Sequence, residues 1–159
     1  KMPINTILEE TRPVQAFPPA SKTTEDTLYN NVASPATDEG IDTKDYSELA
    51  LIVNFGTVAA TGTVTFKLFE NSTNTVTGAT EITGTTLTLD ENSIEGTDGL
   101  PLVARLNVQA FGRYIFVQAV EAGAVQKDYS ATVLLSQSKE LPVVAESELQ
   151  FNKIIPSSS

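Results

Sequence analysis

Apolar and polar residues alternate along much of this chain with the two-residue period of a β-strand. The clearest stretch is residues 46–70, where apolar side chains take every second position on either side of a short Gly/Ala/Thr connector: Leu49, Leu51, Val53 and Phe55 before it, and Val64, Phe66 and Leu68 after it. Because successive side chains of a strand point to opposite faces, each set covers one face of a sheet. The two runs predict a β-hairpin that lays one apolar face on a core.

The same alternation predicts further strands at short intervals. They cover residues 27–33, 79–83, 86–89, 102–109, 113–120 and 129–136. Residues 113–120 are apolar on both faces, which is typical of a central strand. Short strands with almost no helical periodicity predict an all-β fold, a single antiparallel β-sandwich or jelly-roll-like domain with extended N- and C-terminal arms.

The two ends of the chain differ from this middle part. Residues 1–45 hold five of the eight prolines, and they predict an extended N-terminal arm followed by a possible first strand. Residues 46–138 are the predicted sandwich core. Residues 139–159 are the predicted C-terminal arm, in which a short helix over residues 144–150 and a strand through Phe151 are both compatible with the pattern.

Scattered apolar residues in both arms are the candidate contact residues. Apolar side chains near a chain end are not expected to lie in water, so they either pack back on the domain or reach a partner protein. The candidate partner-contacting residues are Ile4, Ile7, Leu8, Val14 and Phe17 in the N-terminal arm and Leu149, Phe151, Ile154 and Ile155 in the C-terminal arm.

The composition excludes most catalytic chemistry. The 159 residues include no histidine, cysteine or tryptophan, which excludes a Ser-His-Asp arrangement, a thiolate nucleophile and any disulfide. No glycine-rich nucleotide-binding motif occurs. A hydrolase with two carboxylates remains open because Asp and Glu total 20, but such sites come with aromatic sugar platforms, and the chain has only four tyrosines. We therefore predict a non-catalytic protein without a cofactor.

The charge of the chain limits its partners. The net charge is −10 at pH 7, which argues against binding to nucleic acid or to an anionic membrane surface. No apolar run approaches the roughly 20 residues that span a bilayer. Residues 1–15 contain acids and prolines but no apolar signal-peptide core. These patterns predict a soluble protein that is not exported by the common route.

One acidic loop, residues 90–98, resembles a calcium loop at its start. Asp90 and Asn92 fit the first two ligand positions, but Ile94 and Glu95 stand where a ligand and the turn glycine are needed. We therefore expect a solvated loop and no metal site.

Three other side chains allow two interpretations each. Arg105 and Arg113 lie on neighbouring predicted strands, and we expect them to pair with local carboxylates rather than to form a basic patch. Phe69 shares the polar face of its strand, so it is either covered by another segment or marks a contact surface. Coverage is the expected outcome.

Three blocks of strand sequence carry a family resemblance: KDYSELALIVNFGTVAATGTVTFKLFEN, GRYIFVQAVEAG and YSATVLLSQ. Together they resemble tailed-bacteriophage head proteins of the decoration, or cement, type. The similarity covers about residues 45–138 and is poor over residues 71–100. The resemblance implies a small, often trimeric β domain, made in the host cytoplasm and carried on the outside of the virion. The implied partners are the major capsid protein and other copies of the chain, and the implied function is stabilisation of the shell.

A carbohydrate-binding or adhesin-type sandwich is the alternative. The sandwich and the Thr-rich loops permit it, whereas the shortage of aromatic residues and the missing export signal disfavour it.

Overall fold

The computed structural model describes residues 11–33, 40–91, 102–136 and 151–155 of the chain. Within these ranges the backbone forms twelve strands and one 3₁₀ turn. In chain order the strands are β1 (Thr11–Lys22), β2 (Thr27–Tyr29), β3 (Val32–Ala33), β4 (Ile41–Asp42), β5 (Glu48–Val58), β6 (Thr63–Asn71), β7 (Thr80–Glu81), β8 (Leu87–Leu89), β9 (Leu102–Asn107), β10 (Tyr114–Ala122), β11 (Lys127–Ser136) and β12 (Phe151–Ile155). The 3₁₀ turn, Val108–Ala110, follows β9 directly.

The strands form two sheets that pack face to face as an antiparallel sandwich, which confirms the predicted fold class. The first sheet has the order β1-β11-β5-β9-β12. The second has the order β3-β2-β10-β6-β7, with β4 also paired to β10 and β8 to β6. Both strands predicted within residues 46–70 are present as β5 and β6, but the hairpin is wrong: the two strands lie in different sheets and do not pair, so their connector bridges the sandwich.

The core lies between the sheets and is built from the alternating apolar positions. Val53, Leu68, Val117 and Val133 from the four longest central strands have no exposed surface. Burying side chains of this size stabilises the fold by about 1.5–3 kcal/mol each. The sequence pattern therefore placed these side chains on the correct face of each strand.

Three aromatic rings pack together within this core. Phe17 from β1 lies 5.9 Å from Phe66 of β6 and 6.0 Å from Tyr129 of β11, measured between ring centroids. Phe66 and Tyr129 are 5.4 Å apart, edge to face. Such pairs add about 0.5–1.5 kcal/mol beyond the buried area, so they help to join the two sheets.

The proline-rich segment of residues 11–22 is extended as predicted, but it is a strand of the domain, because β1 pairs antiparallel with β11. Two register shifts flank Phe17, between Gln15 and Phe17 and between Phe17 and Ala20. Prolines are tolerated on edge strands and at bulges, where a missing N–H leaves no neighbour unpaired. The sandwich therefore begins well before residue 46.

The weak strand predicted over residues 27–33 is a tight hairpin of β2 and β3. Its turn residues Asn30 and Asn31 have φ values of 46° and 67°. Two consecutive left-handed residues are typical of the two-residue turns that match strand twist, and asparagine tolerates this conformation better than most residues. The run apolar on both faces, residues 113–120, is β10, which lies between β2 and β6 as a central strand.

The first sheet has two distinct ends. At one, which we call the turn end, Val58 and Lys22 pair with Lys127, next to the β5–β6 and β10–β11 turns. At the other, the terminal end, Thr11 and Glu48 both pair with Ser136. Because β12 is parallel to β9 and its Ile155 pairs with Leu106, β1 starts and β12 stops at the terminal end.

Candidate interaction surfaces

The candidate anchors in the predicted arms lie in three different places. Ile4, Ile7, Leu8 and Leu149 lie outside the described residues. Phe151, Ile154 and Ile155 belong to β12, whose backbone pairs with β9 at the edge of the first sheet. Val14 and Phe17 belong to β1 and pack against the core.

Phe17 requires a correction, because its expected role as a partner anchor does not fit its position. The side chain is only 1% exposed, and its ring lies against Phe66 and Tyr129 of the same chain. The residue is apolar because the domain's own core needs it. Val14 is partly buried and pairs with Val133, so it also belongs to the sandwich.

A groove of about 500 Å³ lies on the outer face of the first sheet, near the turn end. It crosses β1, β11 and β5, and its lining combines apolar surface with polar side chains, which include Ser21, Asn54, Gln126, Asp128 and Ser130. Gly56 forms part of the groove beside Asp128. A Cβ atom at Gly56 would lie 3.1 Å from the Cβ atom of Asp128, which is closer than an ordinary contact. The volume falls within the range of small-molecule sites.

Asp128 is the charged group of this groove. Hydrogen bonds from Ser21, from Gln126 and from the backbone N–H of Thr57 lower its pKa below the usual value, in spite of partial burial. The Nε2 atom of Gln126 lies 2.9 Å from Oδ2 of Asp128. Its other oxygen, Oδ1, is buried without a hydrogen-bond partner among the residues described. The groove therefore holds an ionised carboxylate.

Sequence analysis missed this groove. Its polar residues take the outward positions of strands that are far apart in the chain, and each alone looks like an ordinary exposed position. The available signal was the pair Asp128 and Ser130, which alternates with the inward residues of β11.

A buried polar network joins β10 to the segment after β1. The carboxyl group of Glu121 is 3% exposed and accepts hydrogen bonds from the Tyr129 hydroxyl and from Oγ1 of Thr24, the latter at 3.0 Å. The backbone N–H of Glu121 also donates to the carbonyl oxygen of Asp26, at 2.8 Å. Burial, and then the hydrogen bond to Glu121, raise the pKa of Tyr129. The network fixes the path that the chain takes from the first sheet to the second.

Lys127 is a buried basic residue at the turn end of the first sheet. Its side chain is fully buried, and the ammonium group donates to the carbonyl oxygens of Gly123 and Ala122. A Cβ atom at Gly123 would lie 2.6 Å from the carbonyl oxygen of Thr61, and the φ of Gly123 is +76°, so only glycine fits. These contacts hold the β5–β6 and β10–β11 turns together.

The two arginines lie in different sheets. Arg113, just before β10, pairs with Asp42, with 2.5 Å between Nη2 and Oδ2. Arg105 lies in β9 and is near enough to Glu48 to lower the pKa of that carboxyl, although burial raises it more. The expected pairing with a local carboxylate is confirmed for Arg113.

Phe69 is covered, as expected. Its ring packs edge to face on Tyr29 of β2, with 5.8 Å between centroids. The Tyr29 hydroxyl also accepts a hydrogen bond from Gln118, at 2.6 Å. The aromatic residue on the outer face of β6 therefore supports the attachment of β2 to the second sheet.

The described ranges contain no cluster of three acidic side chains able to hold a metal ion. Most of the acidic loop, residues 92–98, lies outside them. In the same part of the chain, no helix has the length and apolarity needed to cross a membrane.

Comparisons with known proteins add no relative. No protein-family model matches the chain, and neither the curated proteins nor the solved structures contain a match.

Proposed function

We propose that this chain is a non-catalytic structural protein of a phage head, which binds the outer surface of the capsid and stabilises the shell. The expected partners are the major capsid protein and other copies of the chain, in a homotrimer. The protein then resides on the exterior of the virion.

The position of the resembling blocks supports this proposal. The first block spans β5 and β6, the second spans β10 and the third spans most of β11. These four strands are among the inner strands of the two sheets. The similarity to decoration proteins therefore lies in the scaffold of the sandwich, which is the part that such a protein needs to be stiff.

The observation that carries the proposal is the common direction of the two terminal segments. The segment before Thr11 and the segment after Ile155 both leave the first sheet at its terminal end. The strands β1 and β12 are the two edges of that sheet, about 19 Å apart at ~4.8 Å per strand spacing. The start of β1 and the end of β12 thus lie at one end of the sandwich, as is needed if the segments joined to them attach to one surface.

The assignment of anchors changes with the fold. Phe17 and Val14 serve the core, so Ile4, Ile7 and Leu8 remain as the anchors of the N-terminal segment. Each apolar side chain buried on a partner contributes about 1.5–3 kcal/mol before the cost of ordering the segment. Repetition on a symmetric shell multiplies such modest contacts by avidity.

Deletion of residues 1–10 tests the anchoring role, because the deletion stops before β1. We expect the variant to keep its denaturation midpoint and to lose occupancy on purified shells that lack the protein. The matched control replaces Ile4, Ile7 and Leu8 by serine in the full-length chain, and it should lose occupancy to a similar degree. Unchanged occupancy in both variants would contradict the proposal.

The mass of the free protein tests self-association. A trimer has three times the chain mass of 17.0 kDa. Light scattering that gives only the single-chain mass over the micromolar range would contradict the trimer but would leave shell binding open.

The groove on the outer face favours a second candidate function, carbohydrate binding. Amide, hydroxyl and carboxylate groups from Asn54, Ser130 and Asp128 surround the half-buried ring of Phe55. Sugars bind through such polar groups beside an apolar face. A glycan array with the wild-type chain and the Asp128→Asn variant tests this: saturable binding to one sugar class that the variant loses would favour the second candidate.

A further inference from the structure

Two β-bulges flank the same short stretch of β11, one in each neighbouring strand. On the β5 side, Gly56 and Thr57 both lie opposite Asp128. On the β1 side, two consecutive prolines lie opposite Ser130. Bulges interrupt the ladder of backbone hydrogen bonds and are common next to functional sites, where they re-aim a side chain. The groove on the outer face of the first sheet lies at this double interruption.

We infer that the groove is a binding site for a small sugar that carries a primary ammonium group, in which the Asp128 carboxylate pairs with the ammonium group and neighbouring polar side chains bind the hydroxyl groups. The inference rests on the second candidate function, carbohydrate binding, and names the class of sugar. It goes beyond that candidate because a neutral sugar would leave the carboxylate without a cation.

The backbone around Asp128 needs an acceptor, but it does not need a charge. The N–H of Thr57, in the β5 bulge, donates to the Asp128 carboxyl group. The amide oxygen of an asparagine would accept the same hydrogen bond. The bulge therefore explains an oxygen at this position and leaves the negative charge to be explained by what the groove binds.

No cation of the chain neutralises this carboxylate. Within the described part of the chain, no lysine or arginine lines the groove or forms an ion pair with Asp128. Lys22 and Lys127 are next to lining residues in the sequence, but alternation along β1 and β11 turns them to the other face of the sheet. The ammonium group of Lys127 donates to backbone carbonyl oxygens there. A ligand can thus supply the cation, and a charge-assisted hydrogen bond is roughly twice as strong as a neutral one.

The rest of the groove suits a sugar ring. The half-buried Phe55 offers apolar surface. Asn54 and Ser130 are partners in the β5–β11 register, and their amide and hydroxyl groups can both donate to and accept from sugar hydroxyl groups. A lysine side chain of a partner protein would use the carboxylate and leave these groups unused, so the composition of the groove favours the sugar.

NMR titration of the isotope-labelled full-length chain tests the inference, with glucosamine, glucose and N-acetylglucosamine as probes. The buffer is slightly acidic, so that the amine is protonated while Asp128 stays ionised. We expect glucosamine to shift the amide signals of Gly56 and Ser130 saturably. The two uncharged sugars should bind about tenfold more weakly, because they cannot form the charge-assisted hydrogen bond.

Three variants separate the charge from the rest of the groove. Asp128→Asn keeps an acceptor for the Thr57 N–H and should lower the affinity for glucosamine to that for glucose. Ser130→Ala should weaken all three sugars to a similar degree and keep the preference for the amine. Glu91→Gln removes the same charge at an exposed position after β8 and should change neither the affinities nor the preference.

Each contrary result removes a different part of the argument. Equal affinities for glucosamine and glucose would overturn the ammonium site and leave carbohydrate binding standing. Absence of binding by all three sugars would overturn both. Binding of the methylamide of Nα-acetyl-lysine as tightly as glucosamine would overturn the sugar and favour a protein partner with an exposed lysine.

The position of the groove keeps this test separate from the proposed binding to a shell. The groove lies near the turn end, whereas β1 starts and β12 stops at the terminal end. Asp128→Asn should therefore keep its occupancy on shells that lack the protein, whichever way the sugar titrations come out. A loss of that occupancy by Asp128→Asn, but not by Glu91→Gln, would overturn the assignment of the groove to a sugar.

Discussion

The two edge strands of the first sheet are both apolar segments near an end of the sequence, yet they contribute differently to the fold. The long strand β1 runs antiparallel beside β11 and places Phe17 in the core. The five-residue strand β12 runs parallel beside β9. Apolar composition near a terminus therefore does not show whether a segment belongs to the core or to a contact surface. The inserted aromatic ring and the antiparallel register make β1 part of the domain.

Replacement of Phe17 by alanine should have the largest effect. It removes a ring that is 1% exposed and packs against two other aromatic rings, so we expect a loss of about 3–5 kcal/mol in the free energy of unfolding. Urea denaturation followed by circular dichroism measures it. Gln15→Ala, at an exposed position of the same strand, is the control. A loss as small as that of the control would mean that β1 is a dispensable arm.

Replacement of Tyr129 by phenylalanine should have an intermediate effect. It removes the hydroxyl that donates to the buried carboxyl group of Glu121, whose other oxygen accepts from Thr24 just after β1. Leaving a buried acceptor unpaired costs about 1–3 kcal/mol. Tyr114→Phe, at a half-buried position, is the control, and equal denaturation midpoints for the two variants would contradict the structural role of the network.

Removal of residues 151–159 should have a small effect on stability. The strand β12 lies at the sheet edge and pairs only with β9 among the described strands, so we expect a loss on the order of 1 kcal/mol. A stability loss as large as that of Phe17→Ala would show that the two edges are equivalent, against the comparison drawn above.

The Asp42–Arg113 pair should matter least, because it lies at the surface and away from both edges. The hydrogen bond from Arg113 lowers the pKa of Asp42 from 3.8 to about 2, because it outweighs the opposing effect of burial. Since the folded-state pKa lies below the unfolded value, the contribution to stability is present above pH 3.8 and is lost as the pH falls towards 2. Asp42→Asn should remove this part of the acid dependence. Urea denaturation at about pH 5 and about pH 2.5 measures it as the difference between the two free energies of unfolding. Glu91→Gln, at an exposed position, is the control. High salt should reduce the difference.

Local alternation was sufficient to predict the inner strands. In β5 and β6 every second residue faces a core, so the period-two pattern sets both the strand and its buried face. The weak signal at β2 and β3 also led to a real hairpin, because two asparagines supply the left-handed turn.

The features missed by the sequence depend on partners that are distant in the chain. Pro13, Pro18 and Pro19 made β1 look like an arm, but an edge position and two bulges accommodate them. The parallel direction of β12 depends on β9, and a strand pattern carries no information on the direction of its neighbour. The groove depends on the side-by-side placement of Asn54 and Ser130, which are partners in the β5–β11 register.

The two poles of the sandwich also suit the protein as a carrier of foreign sequences. The segments before β1 and after β12 leave from one pole, so fusion partners joined there would crowd the face proposed to meet the shell. The β10–β11 turn lies at the opposite pole, and Ala124 in it is exposed. A short epitope inserted at Ala124 would be displayed outward, provided that Gly123 and Lys127 keep the turn in place.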